Sequence, residues 1–235
     1  MTFTEHLEEL RRCLLKSLAA IILTSGVCYF FSDSIFRFIV APLQQSLRPG
    51  QNLIGTGVTE AFFTEIKVAL AAGVFFSSPA IFYQIWRFLS PGLSGSERRL
   101  VLPFVLCATA FFVGGALFCY FIVLPVAFVY FIEQYGTIGV TPAIRIGEYF
   151  TFFFRMVLAF GVTFELPVFT FFLVRLGLWN YRLMLSTFRY ALVAIFIVAA
   201  ILTPTPDIIN QSLLAGPMLL LYVVSIGVAY LWRKN

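Results

Sequence analysis

Residues 149–174 read YFTFFFRMVLAFGVTFELPVFTFFLV. As a helix rising about 1.5 Å per residue, this run exceeds the roughly 30 Å hydrocarbon core of a bilayer. It predicts a membrane span and makes the chain a helical membrane protein. Glu165 lies well inside it. An acid near mid-membrane costs on the order of 2.5–3.5 kcal/mol on insertion scales, and such residues face the protein interior or a water-filled cavity. Pro167 removes one helical N–H and frees the carbonyl of Thr163, which predicts a kinked or wet patch one turn from the acid. Two readings of Glu165 stand here: a working group inside the membrane, or a protonated or hydrogen-bonded acid that only holds helices together. The expense of the position favours the first.

The composition is of the same kind. Of 235 residues, 60% are hydrophobic and 11% charged, and the mean hydropathy is +0.95, as in a polytopic membrane protein. The pI near 9.2 reflects basic loops held on the cytoplasmic side, not nucleic-acid binding. Charged residues crowd positions 5–16 and the run after them is long enough to remain a span, so no cleavable signal peptide is expected. Cys13, Cys28, Cys107 and Cys119 lie in or beside apolar runs without C-x-x-C spacing and read as packing thiols, not disulfides or ligands. His6 is the single histidine. H-E-x-x-H metalloprotease chemistry is therefore excluded, a membrane Ser–His dyad would have to use this terminal residue, and enzymatic function is not expected.

Outward from the Glu165 span, the chain reads as six spans in an all-α membrane protein forming one polytopic domain over residues 1–235. The spans fall near 17–39, 68–86, 100–132, 149–174, 188–202 and 213–232. Thr2–Lys16 ahead of them is an amphipathic helix, with a Thr2/Glu5 capping box and Leu7, Leu10 and Leu14 in a stripe. The first span carries Asp33 and Arg37 near its far end. Phe62–Lys67 is amphipathic and precedes the second span. Leu100–Ile132 has no charge and no polar residues to support a turn, so it predicts one long helix bent near Pro125. The fifth span is short, and Thr203, Thr205 and Gln211 fall at membrane depth beside it, where bilayer thinning or water entry is expected. Six spans put both termini on one side. With that side cytoplasmic, Arg11, Arg12, Lys16, Arg87, Arg98, Arg99, Arg175, Arg182, Arg189, Arg233 and Lys234 are inside. Arg37, Arg48, Lys67, Arg145 and Arg155 lie at or beyond the outer half, a positive-inside pattern.

On that basic face the carboxylates are the exceptions. Glu8 has Arg12 four residues on and is neutralised locally. Glu5 and Glu9 share a helix face, and the position four after Glu9 is Cys13. Glu97 follows Ser94 at capping-box spacing, which accounts for it structurally without excluding a second role. Carboxylates accept forked, charge-assisted hydrogen bonds from guanidinium groups, so Glu5, Glu9 and Glu97 suit a cationic peptide with adjacent arginines.

Five stretches carry a resemblance. HLEELRR (6–12), APL (41–43), SPGLSGSERRLVLP (90–103), FGVTFELPV (160–168) and LTPTPDIINQSLLAGP (202–217) resemble the TatC subunit of the twin-arginine protein translocase, in order and over nearly the whole chain. The resemblance implies a receptor and scaffold for paired-arginine signal peptides on folded cargo. It works in an oligomeric complex with the single-span partners TatA and TatB, in the bacterial inner membrane, driven by the protonmotive force. It has no catalytic activity, cofactor or metal. By the same resemblance, Glu9 and Glu97 bind the arginines, with His6, Arg11, Phe88 and Arg98 in the same surface. Glu165 becomes the intramembrane acid on the concave face of a glove-like helical wall. Thr203, Thr205 and Gln211 match the docking place of partner helices, and Asp207 lies in the loop between the last spans. Cys13 stands where the family often has a second basic residue. Two other classes compete with this reading: a proton-coupled small-solute transporter using Glu165, and an intramembrane hydrolase. The first lacks an internal repeat and a second intramembrane carboxylate, and the second has only His6 to work with.

Overall fold

The computed structural model of the chain describes residues 3–47, 51–89, 101–137, 139–175, 177, 179–203 and 208–232. In order these form α1 (Phe3–Tyr29), α2 (Ser32–Ser46), α3 (Glu60–Leu89), α4 (Val101–Phe118), a π-helical turn (Cys119–Val123) and α5 (Leu124–Thr137). They continue as α6 (Ile146–Phe164), α7 (Leu166–Arg175), α8 (Tyr181–Ser186), α9 (Phe188–Leu202) and α10 (Ile208–Leu231). The described residues are almost wholly helical, and the one extended pairing is an isolated parallel bridge between Ile54 and Arg145. Five stretches are long and apolar enough to cross a membrane: Thr4–Tyr29, Glu60–Phe88, Val101–Thr137, Ile146–Arg175 and Gln211–Leu231. Phe188–Leu202 is a shorter apolar helix.

The N-terminal elements differ from the sequence expectation. Neither proline nor glycine lies near Lys16, and α1 runs through without a break between amphipathic helix and span. It stops at Tyr29, within the stretch read as the first span. There the Phe30 N–H donates to Val27 O (3.2 Å) and the Phe31 N–H to Cys28 O (3.0 Å), tighter i→i+3 bonds that close the helix. The chain restarts as α2 at the polar pair Ser32–Asp33, with Asp33 in the first turn, where the helix dipole favours an acid.

Val101–Thr137 is one continuous helical stretch, as its uncharged sequence predicts. Its irregularity comes just before Pro125: the Leu124 N–H donates to Cys119 O across a π-turn. Widening the helix there accommodates a residue with no N–H to give. Pro79 in α3 is handled differently. Its ring leaves the Phe75 carbonyl without a backbone donor, and the Ser78 hydroxyl donates to that carbonyl at 2.7 Å.

The chain divides into two compact units. In the first (Met1–Ala41, Asn52–Ala110 and Ile144–Phe150), α1 packs on α3. Their crossing is at Gly73, where an added Cβ would lie 2.0 Å from Ser25 Oγ and 2.8 Å from the Ser25 backbone. The Thr24 hydroxyl donates to Gly73 O at 2.9 Å. Tyr149, which is buried, donates its hydroxyl to Ile39 O at 2.6 Å. Ahead of the apolar run in α3, Glu60 fastens the loop before it to the start of α6. Its carboxylate accepts from Thr56 N–H (2.6 Å), Gly147 N–H (2.9 Å), Gly57 N–H (3.1 Å) and the Thr56 hydroxyl (3.1 Å). Those donors, the Thr56 N–H first, hold its carboxyl down from 4.5 to about 2.

In the second unit (Pro42–Gln51, Phe111–Ala143 and Thr151–Asn235), small residues again set the helix approach. A Cβ on Gly115 would lie 2.6 Å from Phe160 O, and one on Gly161 would lie 2.8 Å from the Phe112 ring. α10 packs against α7, α8 and α9. Val174, Met184 and Ala229 form a buried cluster there, with the Tyr222 hydroxyl donating to Met184 O at 3.1 Å.

Candidate functional site

At the start of α1, positions 5, 8, 9, 12, 13 and 16 recur at helical spacing and face the last turns of α3. Between them is a cavity of about 280 Å³, lined by Glu5, Glu8, Glu9 and Cys13 from α1 and by Gln84 and Arg87 from α3, with Arg12 and Lys16 also facing it. Glu8 is already engaged: Arg12 donates to it at 2.6 Å, in a pair that is largely exposed. Glu9 is not. Its Oε2 is buried with no hydrogen-bond partner among the described residues, and the same holds for Gln84 Oε1. A buried acceptor left unpaired costs about 1–3 kcal/mol, more when charged. Arg12, Lys16 and Arg87 bring donors to the cavity wall, yet these two acceptors stay unpaired. A guanidinium group, with five donors and no acceptor, has the chemistry to satisfy them.

His6 is exposed on the same end of α1 and stacks on Phe88 of α3, centroids 4.4 Å apart at 27°. The pair joins the two helices beside the cavity without lining it. Arg11 is exposed and also does not line it. Glu97 and Arg98 fall outside the described residues, as do Thr2, Ser94, Thr205 and Asp207. Two lining residues, Gln84 and Arg87, were not singled out from the sequence. The available signal was spacing: 84, 87 and 88 share one face at the end of an apolar run.

A second polar position is Glu165, at the break between α6 and α7. Its N–H donates to Val162 O (3.1 Å) and its carbonyl accepts from Phe169 N–H (2.9 Å), so the backbone pauses there and resumes. Pro167 explains the pause, as its sequence position predicts. The residue is 2% exposed. Both carboxyl oxygens are buried without a hydrogen-bond partner among the described residues, beside the Phe112 backbone.

Near the start of α10, Gln211 Nε2 donates to Phe196 O of α9 at 2.8 Å. The Thr203 hydroxyl caps α9 by donating to Ala199 O at 3.0 Å. Both are thus engaged within the chain, while Val193, Ile197 and Ile201 leave a large part of α9 uncovered at 55–73% exposure.

A family model described as Sec-independent protein translocase protein (TatC) matches residues 5–217. The Sec-independent protein translocase protein TatC of Koribacter versatilis is 40% identical over 98% of this chain and 86% of its own length. That of Campylobacter jejuni is 42% identical over 94% and 90% respectively. Among solved structures, a crystal structure of the twin-arginine translocase receptor TatC superposes with a TM-score of 0.87 at 36% identity, covering 97% of this chain and 100% of that one.

Proposed function

The chain belongs to the TatC family of Sec-independent protein translocase proteins, and from that premise we propose that the cavity between α1 and α3 receives the paired arginines of signal peptides. As a translocase subunit of this family, the protein is a multi-pass membrane component of a Tat complex that serves signal-peptide-bearing cargo. The observation that carries the assignment of the site is the unpartnered Glu9 Oε2, facing the same cavity as the unpartnered Gln84 Oε1. Glu9 supplies the charge-assisted bond to one guanidinium, and Gln84 adds a neutral acceptor beside it. By the family resemblance, Glu97 and Arg98 also take part in binding the arginines. His6 and Phe88 border it as an aromatic face on which a guanidinium plane can lie.

In this reading both termini are cytoplasmic, the membrane is the bacterial inner membrane, and the protein binds and positions cargo without catalysing a reaction. TatA and TatB are the single-span partners. Their helices dock on the exposed side of α9, and the polar residues Thr203, Thr205 and Gln211 take part in that docking. Glu165 serves a later step, after the peptide has entered the membrane, powered by the protonmotive force. The alternative of a proton-coupled solute transporter gives way to the family assignment.

The test is export in cells whose own TatC has been removed, with a folded reporter behind an Arg-Arg signal peptide. Wild type restores export. Glu9→Ala and Glu165→Gln both block it, but only Glu9→Ala abolishes capture of the signal peptide. Loss of capture in Glu165→Gln would collapse the two steps into one and refute the division of roles.

A further inference from the structure

We propose that Arg155 is a binding site for the phosphate of a membrane phospholipid, in the leaflet at the N-terminal end of α6. This rests on the membrane reading of α6 and not on the signal-peptide site. The Ile146 N–H donates to Ile54 O (3.1 Å) and the Ile54 N–H to Ile144 O (2.9 Å), so the helix starts from non-helical loop backbone. Such backbone does not sit in hydrocarbon facing lipid, which puts Ile146 at headgroup level or beyond. Nine residues on, the Arg155 Cα is about 13–14 Å further along the axis. The interfacial layer takes about 5–7 Å of that, leaving the Cα roughly 6–9 Å inside the hydrocarbon.

A guanidinium cannot shed its proton to escape this position. Nor does it have an acid: the ion pairs among the described residues are Arg12–Glu8 and Arg145–Glu148. Arg155 is exposed, whereas its neighbours Phe153, Met156 and Val157 are buried, so it points away from the packed face of α6. The side chain has one way out. Helical Cα–Cβ bonds tilt toward the N-terminus, and an extended arginine reaches about 6 Å. Both carry the guanidinium back to the level of the phosphates, whose oxygens match its fork of donors. The other candidate occupant is a carboxylate on a partner's membrane helix. One to two turns further on, the same side of α6 carries partly buried Leu158 and Ala159 and then Val162 at 63% exposure, an apolar stripe with no charged or hydrogen-bonding group to hold a partner's carboxylate beside the arginine. That surface suits lipid tails.

The experiment titrates the purified full-length protein in neutral detergent with phosphatidylglycerol, counting retained lipids by native mass spectrometry. Diacylglycerol of the same tails and inorganic phosphate are run alongside. Arg155→Gln is expected to weaken phosphatidylglycerol retention about tenfold. Arg155→Lys should fall between, because an ammonium is a point charge and not a fork. Diacylglycerol should not distinguish the proteins, inorganic phosphate should not displace the lipid, and all three proteins should bind an Arg-Arg peptide alike. Equal phosphatidylglycerol retention by wild type and Arg155→Gln would overturn the proposal. So would displacement by free phosphate, or loss of a co-purifying acidic membrane helix with lipid retention unchanged.

Discussion

Glu9 and Glu60 show how the same side chain differs with its donors. The Glu60 carboxylate is surrounded by backbone N–H groups, whereas one Glu9 oxygen is buried and has none. The first fastens the chain to itself, and the second is the acceptor that the proposed arginine site uses. Gln84→Ala should weaken an Arg-Arg peptide by a few-fold to about tenfold, the worth of a neutral hydrogen bond. A binding isotherm with unchanged affinity would remove Gln84 from the site. For Glu60, a folded-state value lowered from 4.5 to about 2 means its contribution is present above pH 4.5 and is lost as pH falls toward 2. The protection factor of the Gly147 amide, its exchange relative to the intrinsic rate at each pH, should therefore fall across that window, and Glu60→Gln should show low protection already at pH 7. No pH dependence in wild type would show that the fastening carries no stability. Glu9 was legible in the sequence because its i+4 position is Cys13, leaving a charge unanswered. Gln84 was not, since one neutral amide at the end of an apolar run looks like any interfacial residue.

At the scale of elements, approach of helices through small residues decides what can change. Gly73→Ala puts a Cβ against both the side chain and the backbone of Ser25, and a backbone contact cannot be relieved by a rotamer change. A loss of about 1–3 kcal/mol is expected, seen as a lowered melting temperature in detergent. Gly26→Ala, with nothing within 4 Å, should be neutral or stabilising, since alanine is the better helix former. Equal melting of the two variants would mean that α1 and α3 do not depend on this crossing. Helix existence was readable from hydropathy, and the single long helix from the lack of any charge in Leu100–Ile132 and of polar residues to support a turn in it. The break at Phe30–Phe31 was hidden because two phenylalanines continue the apolar run unchanged. The π-turn was hidden for a similar reason: it alters hydrogen bonding without altering periodicity, and only Pro125 hinted at a disturbance.

For the whole molecule, charge distribution and buried acids point the same way. Basic residues concentrate in the loops read as cytoplasmic, and the unpartnered Glu9 oxygen and Gln84 share the cavity between α1 and α3, in a chain whose relatives are translocase proteins. The membrane character was legible in composition, with 60% hydrophobic and 11% charged residues. The identity of the ligand was not, because an unsatisfied carboxylate specifies donors and not the peptide that brings them. The most direct test is a pair of binding isotherms on the solubilised protein, one with an Arg-Arg signal peptide and one with its Lys-Lys version, repeated on Glu9→Gln. The prediction is tighter binding of Arg-Arg to wild type, weakened about tenfold to a hundredfold in Glu9→Gln and reduced there to the Lys-Lys level. Equal, weak binding of both peptides to both proteins would contradict a paired-arginine site at Glu9.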